Sequence, residues 1–321
     1  MTDLFEFRKV ADGVHVAVAR PAYKVNSNTV IVETDDGCLV VDSHSKPSAA
    51  RVVLQQLRDL TPKPVRYVVN THFHWDHWQG NEVYPAAYPN VEVITNDITR
   101  EAMVRKSLKR IQDHIRTVPT EIAALKAQLA AATDPGQRAE LGSSLRQAKA
   151  YLEEVRALRP TLPTMAFENT MRIFKRDREI HLRYLGRAHT EGDVFVYLPR
   201  EKLVVTGDAV IAWTPFMGDG YPEDWVRTLD RLERLDFSLM LMGHGEPAGR
   251  EWLTVFRAYI HDLVEAVRRE TVSGATLDEV KRRVPDELAP AYEQAFSKYG
   301  PYRPWRPGIL TNIERIFATV S

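Results

Sequence analysis

The sequence predicts an α/β fold made of two β-containing halves separated by a helical insertion. Three observations carry that expectation. Short runs rich in β-branched residues recur from residue 13 to about 96 and again from about 170 to 244. Between them, residues 97–160 become poor in glycine and rich in Ala, Leu, Gln, Lys, Arg and Glu, with apolar residues at spacings of three and four. The two β zones also share one order of elements, strands then helix then strand, without a residue-level repeat. The expected division is 1–96 and 161–250 as the two halves of one domain, 97–160 as the insertion and 251–321 as a helical extension.

In chain order, VHVAVAR (14–20), NTVIVET (28–34) and CLVVDS (38–43) read as strands, the last two joined by the turn Asp35-Asp36-Gly37. Pro47 opens a helix whose Val52, Val53, Leu57 and Leu60 form one face. Val65–Asn70 and Val91–Thr95 read as further strands, so the sheet needs helical cover on at least one face. In the insertion, Val104, Leu108, Ile111 and Ile115 make one stripe, and Ile122, Leu125 and Leu129 a second. Leu141, Leu145, Ala148, Leu152 and Val155 make a third. Asp134-Pro135-Gly136 is the turn of an antiparallel helical hairpin, which Pro160 and Pro163 close. Strands return at 171–174, 179–186, 193–199 and 202–208; a helix at about 223–235, a strand at 238–244 and a long helix at 251–272 follow.

Composition narrows the function. Lys+Arg and Asp+Glu are both 43, a net charge of zero that argues against a nucleic-acid or anionic-membrane partner, whose affinity needs clustered positive charge. The single cysteine, Cys38, excludes an intramolecular disulfide framework and a cysteine-only metal site, and reads as a buried small hydrophobe. Residues 1–20 have neither the basic start nor the apolar stretch of a signal peptide, and no run approaches the ~18–20 apolar residues of a membrane span. The expectation is a cytoplasmic protein acting on a small molecule.

The dominant chemical signal is THFHWDHWQGN at 71–81, which crowds His72, His74, Asp76 and His77 behind the strand VRYVVN. Imidazole nitrogens suit zinc, iron and manganese, and a carboxylate adds a harder oxygen donor. A solvated polar loop is the alternative, and three histidines with an aspartate at one strand end argue against it. Further donors stand at later strand ends: His189 in GRAHTEGD, Asp208 closing KLVVTGD and His244 closing SLMLMGH.

HFHWDH, AHTEGD, the GD at a strand end and GHGEP together resemble the metallo-β-lactamase superfamily, over about residues 13–100 and 165–250. The resemblance implies an αββα sandwich of two mixed sheets flanked by helices. It assigns His72, His74 and His189 to a first metal and Asp76, His77 and His244 to a second, with Asp208 bridging both. Two zinc ions are the implied cofactor, with iron or manganese as alternatives. Asp42 matches the buried aspartate that precedes the histidine motif, with the implied role of orienting a ligand by hydrogen bonding. The implied activity is hydrolysis of a carbonyl ester, thioester, lactone or lactam through a metal-bridging hydroxide, with Asp76 steering it. An iron-dependent oxidoreductase or dioxygenase of the same fold and a phosphodiesterase are the alternatives. The zinc β-lactamases carry cysteine at the position of Asp208, so weak lactam turnover at most is expected; flavodiiron proteins carry glutamate at the position of His74.

Trp75 and Trp78 beside the ligands, and Trp213, Phe216 and Tyr221 in the aromatic segment 213–225, are candidate walls of an apolar substrate pocket. Tyr23 and Lys24 are further candidates for substrate contact. For the insertion three readings stand: a lid over the site, the interface of a homodimer, or packing on the exterior of the sandwich.

Overall fold

The computed structural model describes residues 4–22, 24–297 and 304–320. The first sheet has seven strands in chain order: β1 (Phe5–Ala11), β2 (Val14–Ala19), β3 (Thr29–Glu33), β4 (Cys38–Val41), β5 (Val65–Val69), β6 (Glu92–Asn96) and β7 (Met165–Phe167). Strands β1 to β4 run antiparallel and β4 to β7 parallel. Helix α1 (Pro47–Leu60) makes the crossover from β4 to β5; α2 (Trp75–Trp78) and α3 (Val83–Ala87) lie between β5 and β6.

The second sheet takes the order β12-β11-β10-β9-β8, from β8 (Thr170–Phe174), β9 (Glu179–Tyr184), β10 (Val194–Leu198), β11 (Leu203–Gly207) and β12 (Leu239–Met242). Only β11 and β12 are parallel, joined through α7 (Pro222–Glu233). Val16, Val30, Val41, Val69 and Ile94 of the first sheet meet Leu182, Val194, Val196, Val205 and Leu241 of the second in one buried layer. The outer face of the first sheet buries Ile31, Val40 and Val68 against Val53 and Leu57 of α1. Strands β4, β10 and β11 are buried at every position, as strands covered on both faces must be, which is why they read as unbroken apolar runs. The result is the αββα sandwich.

The C-terminal helices are part of that sandwich rather than an appendage. Phe195, Val204, Met240 and Met242 on the outer face of the second sheet pack with Trp225 and Leu229 of α7 and with Phe256, Ile260 and Leu263 of α8 (Arg250–Val272). Helices α9 (Leu277–Ser297) and α10 (Trp305–Val320) close the same core through Val280, Val284, Ile309 and Ile313. Each of these fully buried side chains contributes ~1.5–3 kcal/mol of burial.

Segment 97–160 folds as α4 (Asp97–Ala102), a π-helical turn at Met103–Ser107, α5 (Leu108–Ala131) and α6 (Pro135–Ala157). Two of the three predicted stripes therefore share one continuous helical run, and Pro119 sits inside it. Val104 is exposed because the π turn rotates it off the buried face. Ile111, Val118, Ile122, Tyr151, Leu152 and Val155 form a small core with Phe73 and Trp78 of the motif segment. Strand β1 and the short β7 lie outside the strands expected from the sequence; β1 pairs only at its β2 side and is half-buried, so its apolar periodicity is weak. Among the described residues no helix is long and apolar enough to cross a membrane.

Candidate metal centre

The chemistry-bearing residues stand where parallel strands end, the ordinary place for a ligand in an α/β sheet. Asp42 follows β4, the segment 71–77 follows β5, Asp208 follows β11 and His244 follows β12 by two residues. His189 lies in the loop between β9 and β10, where Asp193 accepts from the Thr190 amide at 2.9 Å and from its hydroxyl at 2.8 Å, closing the turn. Burial pushes the Asp193 carboxyl up to about 7 against those bonds.

All seven donors converge and all are buried. His72, His74 and His189 form one triad; Asp76, His77 and His244 form another; His72, His77 and Asp208 form a third that links them. His74 Nδ1 lies 2.9 Å from His189 Nε2, and His244 Nε2 lies 3.1 Å from Asp76 Oδ2. The Asp208 carboxylate stands between the two sets. Its Oδ1 is 3.3 Å from His77 Nε2, and its Oδ2 is 3.6 Å from His189 Nε2 and 3.4 Å from His244 Nε2.

Neighbours set the ring orientation of each motif histidine. Asp42 accepts from the Thr71 amide at 2.8 Å, the Thr71 hydroxyl at 2.8 Å and His77 Nδ1 at 2.7 Å. With its proton committed to Asp42, the Thr71 hydroxyl accepts from His72 Nδ1 at 3.0 Å. His74 donates through Nε2 to Asp219 at 3.0 Å. The network thus assigns the tautomers and aims His72 Nε2, His77 Nε2 and His74 Nδ1 at the common centre. Asp42 adopts φ 62, a left-handed conformation that these three bonds hold in place. Two glycines allow close approaches at the centre: a Cβ on Gly243 would fall 2.1 Å from Asp208 Oδ1, and one on Gly207 (φ +52) would fall 2.7 Å from the Thr71 side chain.

His72 Nε2, His77 Nε2 and Asp208 Oδ1 are buried without a hydrogen-bond partner among the described residues. An orphaned buried polar atom costs about 1–3 kcal/mol, and three aimed at one point have a divalent cation as their natural partner. The charge pattern agrees. Burial disfavours a charged His77, yet Asp208, Asp42 and Asp76 outweigh it and hold its pKa well above the usual value. His244 is likewise pushed up to about 9, burial being overcome by Asp208 and Asp76. His72 is held well below the ordinary value by burial and by the neighbouring His77 and His74. Burial opposes ionisation of Asp208, but His244 and His77 bring its pKa well below the usual carboxylate range. The centre is therefore negatively biased at its carboxylates and ringed by imidazoles, a donor set suited to divalent metal.

A cleft of about 430 Å³ opens onto His74, Asp76, His189, Asp208 and His244, walled by Val25, Trp75, Ile211, Trp213 and Phe216. Trp75, Trp213 and Phe216 thus stand where a pocket wall was expected. Trp78 and Tyr221 do not. Trp78 is fully buried, with its indole N–H donating to the Phe73 carbonyl at 3.1 Å, and it packs the insertion core. Tyr221 faces a different surface hollow, its ring under the Arg187 guanidinium at 4.5 Å. Lys24 reaches Glu121 of α5 at 2.9 Å rather than the cleft, and Tyr23 lies outside the described residues. Arg110 and His114 of α5 line the cleft, so the insertion contributes to its wall. Thr71 opens the histidine motif without being a donor type for metal, and Asp219 and Arg110 had no sequence signal of their own. Asp219 sits in an aromatic loop segment with no motif, and Arg110 is one of several cations on a basic helix.

The Metallo-beta-lactamase superfamily family model matches residues 22–158 and 173–244, more than half of the chain. The linear primary-alkylsulfatase of a Pseudomonas species is 22% identical over 283 residues, covering 81% of this chain and 50% of the relative. The 2,4-dinitroanisole O-demethylase subunit alpha of a Nocardioides species is 24% identical over 221 residues, covering 67% of this chain and 52% of the relative. The chain thus spans about half the length of these curated relatives. Among solved structures, a metallo-beta-lactamase from Pontibacter korlensis superposes with a TM-score of 0.58 at 17% identity, over 80% of this chain and 99% of that one. A double mutant of the sec-alkyl sulfatase PisA1 superposes with a TM-score of 0.69 at 16% identity, over 98% of this chain and 50% of that one.

Proposed function

The chain belongs to the metallo-beta-lactamase superfamily, and we propose that it is a metal-dependent hydrolase cleaving an ester-type bond in a small organic substrate with an apolar group. The observation that carries this reading is the convergence of seven buried donors, five of which open onto a cleft walled largely by apolar side chains. His72, His74 and His189 would hold one metal, Asp76, His77 and His244 a second, and Asp208 would touch both, with zinc the proposed ion. Metal bound there supplies Lewis acidity and a nucleophile generated from water at neutral pH. The chain's own groups do the rest. Trp213 and Phe216 bury the apolar part of the substrate and keep water from it. Asp76, buried at the cleft floor and beside His244, is placed to accept and pass on a proton.

The bond cleaved is a carbonyl ester, thioester, lactone or lactam in the first reading. A second reading, cleavage of an alkyl sulfate ester, is favoured by the likeness to the linear primary-alkylsulfatase and to the sec-alkyl sulfatase. The experiment is a turnover panel on zinc-loaded protein: a nitrophenyl ester, a lactone, a thioester, a chromogenic cephalosporin and primary and secondary alkyl sulfates. Metal-dependent release from one class identifies the bond, and failure across the panel by protein that holds metal refutes the hydrolase reading. The best substrate being a lactam would overturn the inference drawn from Asp208.

A further inference from the structure

The root of the helical insertion grips the ligand loops of the first triad at three places. The Ser107 hydroxyl, at the end of the π turn, donates to the carbonyl of Phe73, the residue between His72 and His74, at 2.7 Å. The Lys106 ammonium and the Arg110 guanidinium lie 4.9 Å and 5.3 Å from the centre of the Phe73 ring. Lys106 also pairs at 3.1 Å with Glu191, two residues beyond His189. The third grip reaches a ligand. Arg110 donates both arms of its fork to Asp219, Nη1 to Oδ2 and Nη2 to Oδ1, each at 2.8 Å. The same Oδ2 accepts from His74 Nε2 at 3.0 Å.

We propose that Arg110 is a positioning residue for His74, acting through Asp219, and that docking of the insertion thereby sets metal affinity at the His72–His74–His189 triad. This rests on the metal-centre reading above. A bidentate Arg–carboxylate pair fixes the plane as well as the place of the carboxylate, which a point charge does not. With the plane fixed, Oδ2 holds the proton of His74 on Nε2 and turns Nδ1 toward His189. The π turn supports the register, because it sets the helical phase at which Ser107, three residues before Arg110, meets the Phe73 carbonyl. The other triad is braced by the sandwich itself, through Asp42 on His77. The insertion's hydrogen-bonded relay to a ligand side chain therefore ends on one half of the centre, at His74.

The test is zinc competition against a chromophoric chelator on the full-length chain, with the visible spectrum of the cobalt-loaded protein as a second readout. Arg110 is partly exposed, so its replacement leaves the core intact. In R110Q one metal position should weaken about 10- to 100-fold, the ordinary effect of losing a partner of a ligand histidine, while the other stays within about twofold. D219N should give the same loss, the double variant should add nothing further, and R110K should recover part of it. R116Q, an exposed pair partner of Asp113 on the same helix, should change neither position. Both affinities staying within about twofold in R110Q and D219N, or additive losses in the double variant, would overturn the proposal. So would equal weakening of both positions with a lowered melting temperature, which marks a merely structural role. Wild-type protein that binds metal yet hydrolyses nothing refutes the hydrolase reading alone; wild-type protein that binds no metal refutes both.

Discussion

Replacing Asp42 by Asn removes no volume and keeps a side chain that tolerates the left-handed φ of 62, so the fold should survive. The loss is one of hydrogen-bond direction. Oδ1 can still accept from the Thr71 amide, which places the new NH2 where Oδ2 met the Thr71 hydroxyl and His77 Nδ1. Both neighbours must then accept instead of donate. His77 moves its proton to Nε2, and the Thr71 hydroxyl turns to donate to His72 Nδ1, which sends that ring's proton to Nε2 as well. In their neutral forms both rings now carry their one proton on the atom aimed at the metal. Binding metal requires breaking this arrangement among buried groups, at about 1–3 kcal/mol per unmade bond. One such bond corresponds to roughly 5- to 150-fold in zinc affinity, and the same competition assay reads it. D42N protein that keeps its circular dichroism and melting temperature and binds zinc within about twofold of wild type would refute the tautomer argument.

The glycine after β12 gives a second outcome: G243A should displace Asp208, destabilise by about 1–3 kcal/mol and lower metal stoichiometry by elemental analysis, since its Cβ would lie 2.1 Å from Oδ1. A third concerns pH. His244 goes from an ordinary 6.5 to about 9 in the metal-free fold, so its contribution to stability is complete below 6.5 and is lost as pH rises through 9. Metal must displace that proton, so zinc affinity should climb between 6.5 and 9 with protons released, read by calorimetry in buffers of differing ionisation enthalpy; a flat profile counts against it. For the cleft, F216A should raise KM for an apolar-tailed substrate roughly fivefold, about 1 kcal/mol of lost apolar contact, with kcat nearly unchanged; unaltered KM removes Phe216 from the pocket.

The strands that hold the centre were readable because they are largely buried apolar runs that end within two residues of a polar residue of strong chemistry, as CLVVD, KLVVTGD and SLMLMGH do. The donors were readable because three histidines and an aspartate within six residues have few other physical explanations. What stayed illegible depends on contacts between distant segments. Asp219 meets Arg110 across 109 positions of sequence, and nothing local to either marks it. Trp78 shows the converse. Its adjacency to His77 suggested the cleft, but its ring is fully buried in the small core made with α5 and α6. Strand β1 was missed because a half-buried strand paired on one side carries a diluted alternation.

The arrangement also explains why the insertion can be long without loosening the site. It leaves the first sheet after β6 and returns at β7, which pairs parallel to β6, so its two ends are anchored on neighbouring strands. Between these anchors it makes its own small core with Phe73 and Trp78, residues that belong to the ligand-bearing segment. Packing free energy of the insertion is thereby spent on the loop that carries His72 and His74, rather than on a surface remote from it. A loop closed over such a length loses only ~0.6 kcal/mol for each doubling of its length. A few buried side chains such as Ile111, Val118 and Leu152 offset that several times over, at ~1.5–3 kcal/mol each. The ligand loop is held between the sandwich below and the helical hairpin above, and the cleft opens where the two do not meet, beside Arg110 and His114.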